Sequence, residues 1–465
     1  MRNLVIFVAS HSDAGVADIE PSGIASRFLG QYLVRYGWRP LVVTQWKEGE
    51  ANQVPITLDE IPSYLASFGE TAEVVFRIQA VRSLGRQLIR ASQWAHHQRF
   101  GGRLPRPIWS SVGAGLTGLA RLNGASHESG GGWAPVAAEA GVRIACATEV
   151  KAVAAMTGWD APFAAQRCHR RTGIPWIQYF HDPWQMFVRP AGRPLIGIYL
   201  RRFILSSAAA VCHCTPRWTR ELAQELKRPV SCLINAYDSE QMAASRTQPF
   251  DRFTVVYSGT IEADVRDLTV FFAGLASLRA ERPGLADNMQ FVYIGHQKDL
   301  LWQRAREHDV SDLVRCLGPL SAMEVLPYVK GAHLLLTTLD QTDALNVGRL
   351  GGKSAFYVGS GRPILLTSHT QDGCDTDLIR LVRDTGAGWI ARDNHEVAAL
   401  LGQLLEQYRA VSDTTRPGQG RYPTGDLSYQ RQAEKLALLL ERVARRERDP
   451  VVEDLAVEYP WSGTD

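Results

Sequence analysis

The sequence lacks the features that mark several classes of protein. Its 465 residues contain no run of about 18 apolar residues, so no membrane span is expected. The seven cysteines are odd in number and form no Cys-x-x-Cys pair, which favours a reducing compartment over a disulfide framework. The net charge of +3 shows no excess that would indicate a nucleic-acid partner. An ordinary composition, 45% hydrophobic and 21% charged, instead predicts a soluble protein of two or three domains.

Two local patterns that could suggest targeting or metal binding have simpler interpretations. The apolar residues 4–9 lack a cleavage site and are too short for a secretory signal, so they predict a buried strand and a cytoplasmic protein. Cys212-His213-Cys214 could suggest a metal site. On a strand, however, the two cysteines share one face and His213 lies on the other, which favours a buried strand without metal.

Acidic residues are absent from positions 74–127, whereas arginine is frequent there. The arginines are Arg77, Arg82, Arg86, Arg90, Arg99, Arg103, Arg106 and Arg121. Three of them, Arg82, Arg86 and Arg90, share one face of a predicted helix. Such a helix suits an anionic membrane surface, and a solvated helix covering the core is the alternative. Nucleic acid is disfavoured because no aromatic platform or known motif accompanies the charge.

Two runs of alternating strands and helices predict an α/β protein with two doubly wound, Rossmann-like domains. The predicted strands of the first run are 3–9, 40–44, 142–148, 175–180, 209–214 and 230–234. Those of the second run are 253–258, 290–294, 313–317, 333–338, 363–367 and 387–391. The domains are expected to span 1–238 and 239–426, with a hinge near 235–238. A last helix is predicted at about 427–447, and the acidic tail 448–465 is expected to be mobile.

The most informative segment is 350–365. A glycine pair precedes a short helix that begins with Lys353-Ser354, and Gly359, Gly361 and Pro363 end it before an apolar strand. Backbone N–H groups at a helix start, with a lysine beside them, suit an anion such as a diphosphate. Gly-Lys-Ser also suggests a phosphate-binding P-loop, but that motif needs a glycine where the chain has Val347.

This segment resembles the sugar-nucleotide end of family-4 type glycosyltransferases of the GT-B fold. The matching residues are Lys353, Tyr357, Gly361, Pro363 and Ile364. The glutamate that the family usually carries is replaced by Phe356. The resemblance implies donor binding by Lys353 and Ser354, with Asp340 or Asp343 as candidates to replace the missing carboxylate.

Two phrases in the first half resemble glycosyltransferases of bacterial surface-polysaccharide assembly. In the first, Ser22 can cap a helix, Gly23 allows close approach of a ligand, and Arg27 follows. We assign these three residues to an acceptor-side loop. In the second, an apolar strand carries His181 and Asp182 to its carboxyl end, where open α/β sheets bind ligands. We expect this pair to act catalytically on the acceptor side, although Asp182 could instead be a turn residue before Pro183.

A fourth phrase resembles the start of the family's donor domain. Ser258 and Gly259 follow a strand, and Arg266 follows them. The resemblance implies that this loop and its basic residue hold the diphosphate. It further implies that Gly318 and Leu320, after a later strand, lie where relatives hold the nucleobase.

Together the phrases imply a GT-B protein whose two domains face a cleft and whose last helix crosses back to the first domain. The implied activity is transfer of a hexosyl group from a nucleotide-sugar to a polysaccharide or lipid-linked acceptor, with retention of configuration. No cofactor and no metal are expected. Expected partners are the nucleotide-sugar, the acceptor and an anionic membrane surface, at the inner face of the cell membrane. An inactive nucleotide-sugar-binding protein and a sugar-nucleotide epimerase of the same fold are the alternatives.

Overall fold

The computed structural model describes residues 1–8, 21–46, 54–71, 73–80, 84–98, 112, 116, 132–156, 160–183, 201–263, 266–339, 348–368, 376–410, 427–452, 459 and 461. For residues 21–24, 84–86, 89 and 96–98 it describes the backbone alone. The described residues divide into two compact units. The first holds residues up to 234 together with 432–452, and the second holds 235–431 together with 459 and 461.

The first unit contains a parallel sheet of seven strands. They are β1 (Arg2–Phe7), β2 (Trp38–Gln45), β3 (Val74–Ile78), β4 (Val150–Met156), β5 (Trp176–Phe180), β6 (Ala210–His213) and β7 (Ser231–Cys232). Their order in the sheet is β3-β2-β1-β4-β5-β6-β7, and the neighbouring strands pair in parallel. The helices of this part of the chain are α1 (Pro21–Leu33), α2 (Ile61–Ala66), α3 (Leu84–Gln98), α4 (Trp133–Ala147), α5 (Asp160–Thr172) and α6 (Pro216–Leu226). Residues 4–7 of β1 are buried, as expected for a parallel strand covered on both faces.

One predicted strand of this unit is wrong. Residues 142–148 belong almost entirely to α4, and the strand beside β1 is β4, which begins at Val150. The apolar residues 142–147 resemble a strand when they are viewed alone. In the full segment 133–147, buried residues such as Ala134, Ala137 and Ile144 recur at helical spacing, and alanine is the strongest helix former.

The second unit contains a parallel sheet of six strands. They are β8 (Phe253–Ser258), β9 (Met289–Ile294), β10 (Val314–Cys316), β11 (Leu334–Thr338), β12 (Ile364–Thr367) and β13 (Gly388–Ala391). The helices are α7 (Ser239–Ala244), α8 (Thr269–Glu281), α9 (Pro283–Ala286), α10 (Lys298–Glu307), α11 (Ala322–Gly331), α12 (Gly352–Gly359), α13 (Asp377–Asp384) and α14 (Asn394–Ala410). In the strand order β10-β9-β8-β11-β12-β13, successive strands are added toward one edge from β8 to β10 and toward the other edge from β11 to β13. The strand order therefore reverses between β8 and β11. Ligands of open α/β sheets bind beyond the carboxyl ends of the strands at such a reversal.

The last helix, α15 (Tyr429–Ala444), returns to the first unit, as predicted. Glu441 on α15 accepts a hydrogen bond from Arg2 at 2.7 Å. Near its start, Gln432 Oε1 accepts a hydrogen bond from the backbone N–H of Ile234 at 3.1 Å. Arg2 begins β1 and Ile234 follows β7. Helix α15 is therefore hydrogen-bonded to residues near the start and the end of the sequence 1–234, which forms most of the first unit.

The chain passes between the two units at two adjacent segments. Tyr237 donates a backbone hydrogen bond to Leu427, and Tyr429 donates one to Tyr237, both at 2.9 Å. The ring of Tyr237 also packs on Gly359, where a Cβ would lie 2.5 Å from it. In the tail, Tyr459 and Trp461 are buried and belong to the second unit, where Arg380 lies 4.5 Å from the Tyr459 ring. The remaining positions of 453–465 lie outside the described residues.

Candidate functional site

Three glycines form the carboxyl edge of the second sheet. Gly259 follows β8 with a φ of +122°, and Gly318 follows β10 with a φ of +75°, both in a region that side-chain-bearing residues rarely adopt. Between them, a Cβ on Gly295 would lie 2.4 Å from the carbonyl oxygen of Gly259. The N–H of Gly259 donates to Ile294 O at 2.8 Å, and that of Gly295 to Gly318 O at 3.0 Å. Gly259 and Gly318 are therefore accessible backbone at this edge, whereas Gly295 is buried and allows the close packing between them.

The start of α12 adds a partial positive charge. Gly351 precedes the helix and offers no side chain to cap it. A Cβ on Gly351 or Gly352 would meet no heavy atom of a described residue within 4 Å, so none of these residues blocks this helix end. The first amides of a helix have no acceptor within it, and the helix dipole favours anions there. Ser354, predicted to bind the donor, lies in this first turn, is buried, and donates its backbone N–H to Gly351 O at 2.9 Å.

The Lys353 side chain extends from α12 toward β8. Its Nζ lies 3.7 Å from the centre of the Tyr257 ring and 3.8 Å from the place a Cβ on Gly259 would occupy. The residue is partly exposed, but the Nζ atom is buried and forms no hydrogen bond to any described residue. Burial lowers the pKa of Lys353 well below its usual value, the charge of Arg266 lowers it further, and Glu262 opposes the shift. The site therefore contains a buried amine whose charged form has no hydrogen-bonded counter-ion among the described residues.

Arg266 lies near this lysine, and its backbone pairs with that of Glu262. Its N–H donates to Glu262 O at 2.9 Å, and the N–H of Glu262 donates to Arg266 O at 3.2 Å. The arginine is partly exposed, and its charge influences the pKa values of both Lys353 and Tyr257. The fold thus places Gly259, Arg266 and Lys353 together where the strand order reverses, between β8 and β11.

A buried hydrogen bond joins β8 to α12. Tyr357 Oη accepts a hydrogen bond from the N–H of Ser258 at 2.8 Å and lies 3.1 Å from the Ser258 hydroxyl. Burial raises the pKa of Tyr357 to about 12, so its hydroxyl stays protonated. Ser258, predicted to bind the donor, is 8% exposed and contacts a tyrosine of its own unit. This contact fixes the Gly259 turn relative to Lys353.

The residues predicted to lie near a nucleobase are at the same edge of the sheet. A Cβ on Gly318 would meet no heavy atom within 4 Å in the part of the chain that the structure describes, and Leu320 is partly exposed. The next residue, Ser321, begins α11 in a capping box with Glu324. Gly318 and Leu320 therefore lie just before a firmly capped helix. Asp340 and Asp343, the candidates for the missing carboxylate, lie outside the described residues.

In the first unit, His181 and Asp182 follow β5, as the sequence predicted. The His181 ring is 5% exposed and packs edge-on against Tyr179 with their centres 4.6 Å apart. Its carbonyl oxygen accepts a hydrogen bond from the Cys214 thiol at 2.8 Å. Asp182 is exposed. The structure therefore presents the carboxyl group of Asp182 to solvent at the carboxyl end of the sheet and holds His181 largely below the surface.

The three residues assigned to an acceptor-side loop lie in α1. The helix begins at Pro21, so Ser22 and Gly23 occupy its first turn rather than the position before it. Proline is favoured at the first helical position because its φ is already helical, which explains the earlier start. Arg27 lies one turn later, partly exposed, with its guanidinium carbon 5.2 Å from the Phe28 ring.

Neither cysteines nor carboxylates form a metal centre in the described part of the chain. Cys212 and Cys214 are buried, and burial raises the pKa of Cys212 to about 12. Of the Asp-x-Asp sequence at 375–377, the structure describes the last two residues: Thr376 caps α13 by accepting the Ile379 N–H at 3.1 Å, and Asp377 is 1% exposed. Among the described residues no group of three His, Cys, Asp or Glu could hold a metal ion. Within the same residues, no helix has the length and apolar character needed to cross a membrane.

Comparison with solved structures identifies the fold. A sucrose-phosphate synthase of Thermosynechococcus elongatus is 13% identical, with 96% of this chain and 97% of that chain covered and a TM-score of 0.55. A UDP-forming α,α-trehalose-phosphate synthase of Burkholderia vietnamiensis is 12% identical, with 96% and 99% covered and a TM-score of 0.52. A putative UDP-N-acetylglucosamine 2-epimerase of Listeria monocytogenes is 11% identical, with 97% and 98% covered and a TM-score of 0.52.

These similarities extend over almost the whole chain and confirm the predicted GT-B fold. At identities this low they establish the fold alone. No protein-family model and no curated protein sequence matches the chain.

Proposed function

We propose that the protein is a family-4 type glycosyltransferase that moves a sugar from a nucleotide-sugar to a saccharide or lipid-linked acceptor. The observation that carries this proposal is the Lys353 Nζ, which is buried beside the Gly259 backbone and has no hydrogen-bond acceptor among the described residues. A diphosphate would supply the missing counter-ion and could approach the glycine backbone closely. Two of the similar structures are of proteins whose names include UDP, which agrees with a nucleotide-sugar donor.

In the proposed mechanism, the positively charged groups of the site stabilise the leaving group. When the bond to the sugar breaks, negative charge grows on the nucleoside diphosphate. Lys353, Arg266 and the first amides of α12 would stabilise that charge, which is the usual way in which oriented dipoles and cations lower a barrier. Ser258 would position the Gly259 turn through its hydrogen bond with Tyr357. With these cations present the reaction needs no metal, and the family resemblance implies retention of configuration at the sugar.

The direct test is incubation of the pure protein with a panel of sugar nucleotides, with and without cell lipids. Transfer of labelled sugar to lipid or saccharide would support the transferase. An isomerised donor would instead identify an epimerase of the same fold. Binding without turnover would identify an inactive binding protein, an alternative favoured by Phe356 at the position of the family's glutamate.

Asp182 is proposed to act on the acceptor, with His181 beside it. Replacing Asp182 with asparagine keeps the size of the side chain but removes its charge and its ability to take a proton. Positioned acid–base groups contribute about 100- to 10,000-fold to rates, so turnover should fall by about 100-fold or more. Donor affinity should stay the same, because the donor residues lie in the other unit.

Steady-state turnover and calorimetric donor titration measure the two effects separately. Asp59→Asn is the matched control, since Asp59 is an exposed aspartate of the same unit that pairs with Arg143 at 2.7 Å. Full turnover in Asp182→Asn would remove Asp182 from the mechanism.

Peripheral binding to an anionic membrane is also proposed, through α3. The helix sequence contains no acidic residue, and its Arg90 and Trp94 are exposed, Trp94 by 55%. Of the other two arginines on this face, Arg82 lies outside the described residues and Arg86 is described by its backbone alone. An exposed tryptophan beside basic residues suits the headgroup region of a bilayer.

Changing Arg82, Arg86 and Arg90 together to glutamine should weaken binding to phosphatidylglycerol vesicles at low salt. Each basic residue near an anionic leaflet contributes on the order of 1 kcal/mol, so the triple variant should bind vesicles about 100-fold more weakly at low salt. At high salt this difference between the variant and the unaltered protein should disappear. Co-sedimentation measures it. Three exposed arginines of the second unit, Arg306, Arg315 and Arg409, changed together to glutamine provide the control. If the unaltered protein fails to sediment with vesicles at low salt, the membrane proposal is wrong.

A further inference from the structure

The Tyr257 ring contacts the end of the Lys353 side chain. The Nζ atom lies 3.7 Å from the ring centre, a distance at which an ammonium is attracted to the ring face. Beside the ring, the place that a Cβ of Gly259 would occupy lies 3.8 Å from both Cδ and Nζ of the lysine. The side chain therefore lies along the turn whose backbone is proposed to meet the diphosphate.

The Tyr257 ring is itself fixed in place. Tyr257 is buried near the end of β8, and its hydroxyl group donates a hydrogen bond to the carbonyl oxygen of Thr260 at 2.7 Å. Its ring stacks with that of Tyr293, with the centres 6.1 Å and the planes 25° apart. The Tyr293 hydroxyl group in turn donates to Gln297 Oε1 at 2.9 Å. Lysine has a flexible stem of four carbons, so Lys353 is the partner that can move.

In the observed position, Lys353 cannot bind a ligand through its amine. The Nζ atom is buried. A hydrogen bond would bring a ligand oxygen to about 2.9 Å from the nitrogen, which requires exposed nitrogen surface. The residue as a whole is partly exposed, so the side chain is not enclosed in the core. Rotation about the side-chain bonds must therefore precede any contact between this amine and a ligand.

We propose that Tyr257 is a positioning residue whose ring holds Lys353 in the ligand-free protein, and that a nucleoside diphosphate draws the lysine off the ring. The inference rests on the proposed function, because the anion in question is the diphosphate of the nucleotide-sugar. The ring face attracts an ammonium through a partial negative charge, whereas phosphate groups offer full charges and strong hydrogen-bond acceptors. The ring thus keeps the cation beside the donor site and competes with the diphosphate for it.

The first test follows Lys353 by nuclear magnetic resonance in protein labelled with ¹³C at the lysine ε-carbons. The chain has seven lysines, and the resonance absent from Lys353→Met identifies residue 353. Because Nζ lies over the ring, the ring current of Tyr257 should shift the adjacent ε-protons upfield in the ligand-free protein. Saturating uridine, adenosine or guanosine diphosphate should remove that shift. Lys298, exposed at the start of α10, is the internal reference and should keep its position.

Two substitutions of Tyr257 then separate the effect of the ring from that of the hydroxyl group. Tyr257→Phe keeps the ring, so the upfield shift and the diphosphate affinity should both persist. Tyr257→Leu removes the ring, so the shift should disappear. Isothermal titration should then show affinity about 2- to 30-fold higher, because the contact with the ring no longer competes. Circular dichroism checks that both variants are folded, and the displacement in the unaltered protein decides the matter if Tyr257→Leu is not.

The possible outcomes separate this role of Tyr257 from the proposed function. The role is rejected if ligand-free Lys353 shows no upfield shift, or if the shift persists with diphosphate bound. It is also rejected if affinity is unchanged or lower in folded Tyr257→Leu, because the ring would then not compete with the diphosphate. If no diphosphate binds, the donor site and the displacement fail together. Displacement without sugar transfer from any donor would reject the transferase and retain the role of Tyr257.

Discussion

Replacing Lys353 with alanine is expected to weaken binding of a nucleoside diphosphate by about 10- to 100-fold. One charge-assisted hydrogen bond contributes about 1.5–3 kcal/mol, and each 1.4 kcal/mol is a factor of ten in affinity. The Nζ of Lys353 is buried beside Gly259 without a hydrogen-bond acceptor in the described residues, so a diphosphate oxygen would be its counter-ion. Isothermal titration with uridine diphosphate and the other nucleoside diphosphates measures the change.

Lys298→Ala is the matched control for that experiment. Lys298 is also in the first turn of a helix that follows the same sheet edge, but it is exposed. A general attraction between the basic edge and an anion would weaken equally in both variants. If affinity is unchanged in Lys353→Ala, or falls equally in Lys298→Ala, Lys353 does not bind the diphosphate.

Replacing Lys353 with methionine is expected to stabilise the ligand-free protein by about 1–3 kcal/mol, the cost of a buried polar group without a partner. Methionine fills nearly the same volume and makes favourable contacts with an aromatic ring, here that of Tyr257. The same change should abolish the charge-assisted contact with a diphosphate. A gain in stability with a loss of binding is typical of a group maintained for function.

The pH dependence has a definite sign. Because the pKa of Lys353 is lowered on folding, the unfolded chain binds more protons between that lowered pKa and about 10.5, and stability rises with pH in that window. Methionine does not titrate. The free energy of unfolding gained by Lys353→Met should therefore be largest at low pH and shrink as pH approaches about 10. Urea unfolding at several pH values measures this, and an advantage that is absent or grows with pH would contradict a buried, unpaired ammonium.

Much of the second unit could be predicted from the sequence alone. Strand β8 is predicted at its observed bounds, and β11, α12 and β12 begin and end within a residue or two. Each is a short run of buried apolar residues bounded by glycine, proline or polar residues, so local pattern and tertiary environment agree. Two such alternating runs predicted the two parallel sheets, and Lys353 was recognised because a glycine pair and a lysine at a helix start are neighbours in sequence.

Only the tertiary structure decided the features that depend on distant residues. Residues 142–147 are apolar enough for a strand, and their place in α4 follows from helical burial along the whole of 133–147. Gly295 showed no sequence signal, because a side chain there would clash with the Tyr293 hydroxyl group and with the Gly259 carbonyl oxygen, and the latter lies 36 positions earlier.

For Lys353, what the sequence determines can be separated from what the tertiary structure determines. The sequence by itself determined that a cation stands at the start of a helix. Whether that cation is solvated or buried depends on β8, about 95 residues away, which places the Tyr257 ring and the Gly259 turn against its Nζ. The free energy of an ammonium depends on its solvation and its partners, and neighbours brought together by the sheet determine both.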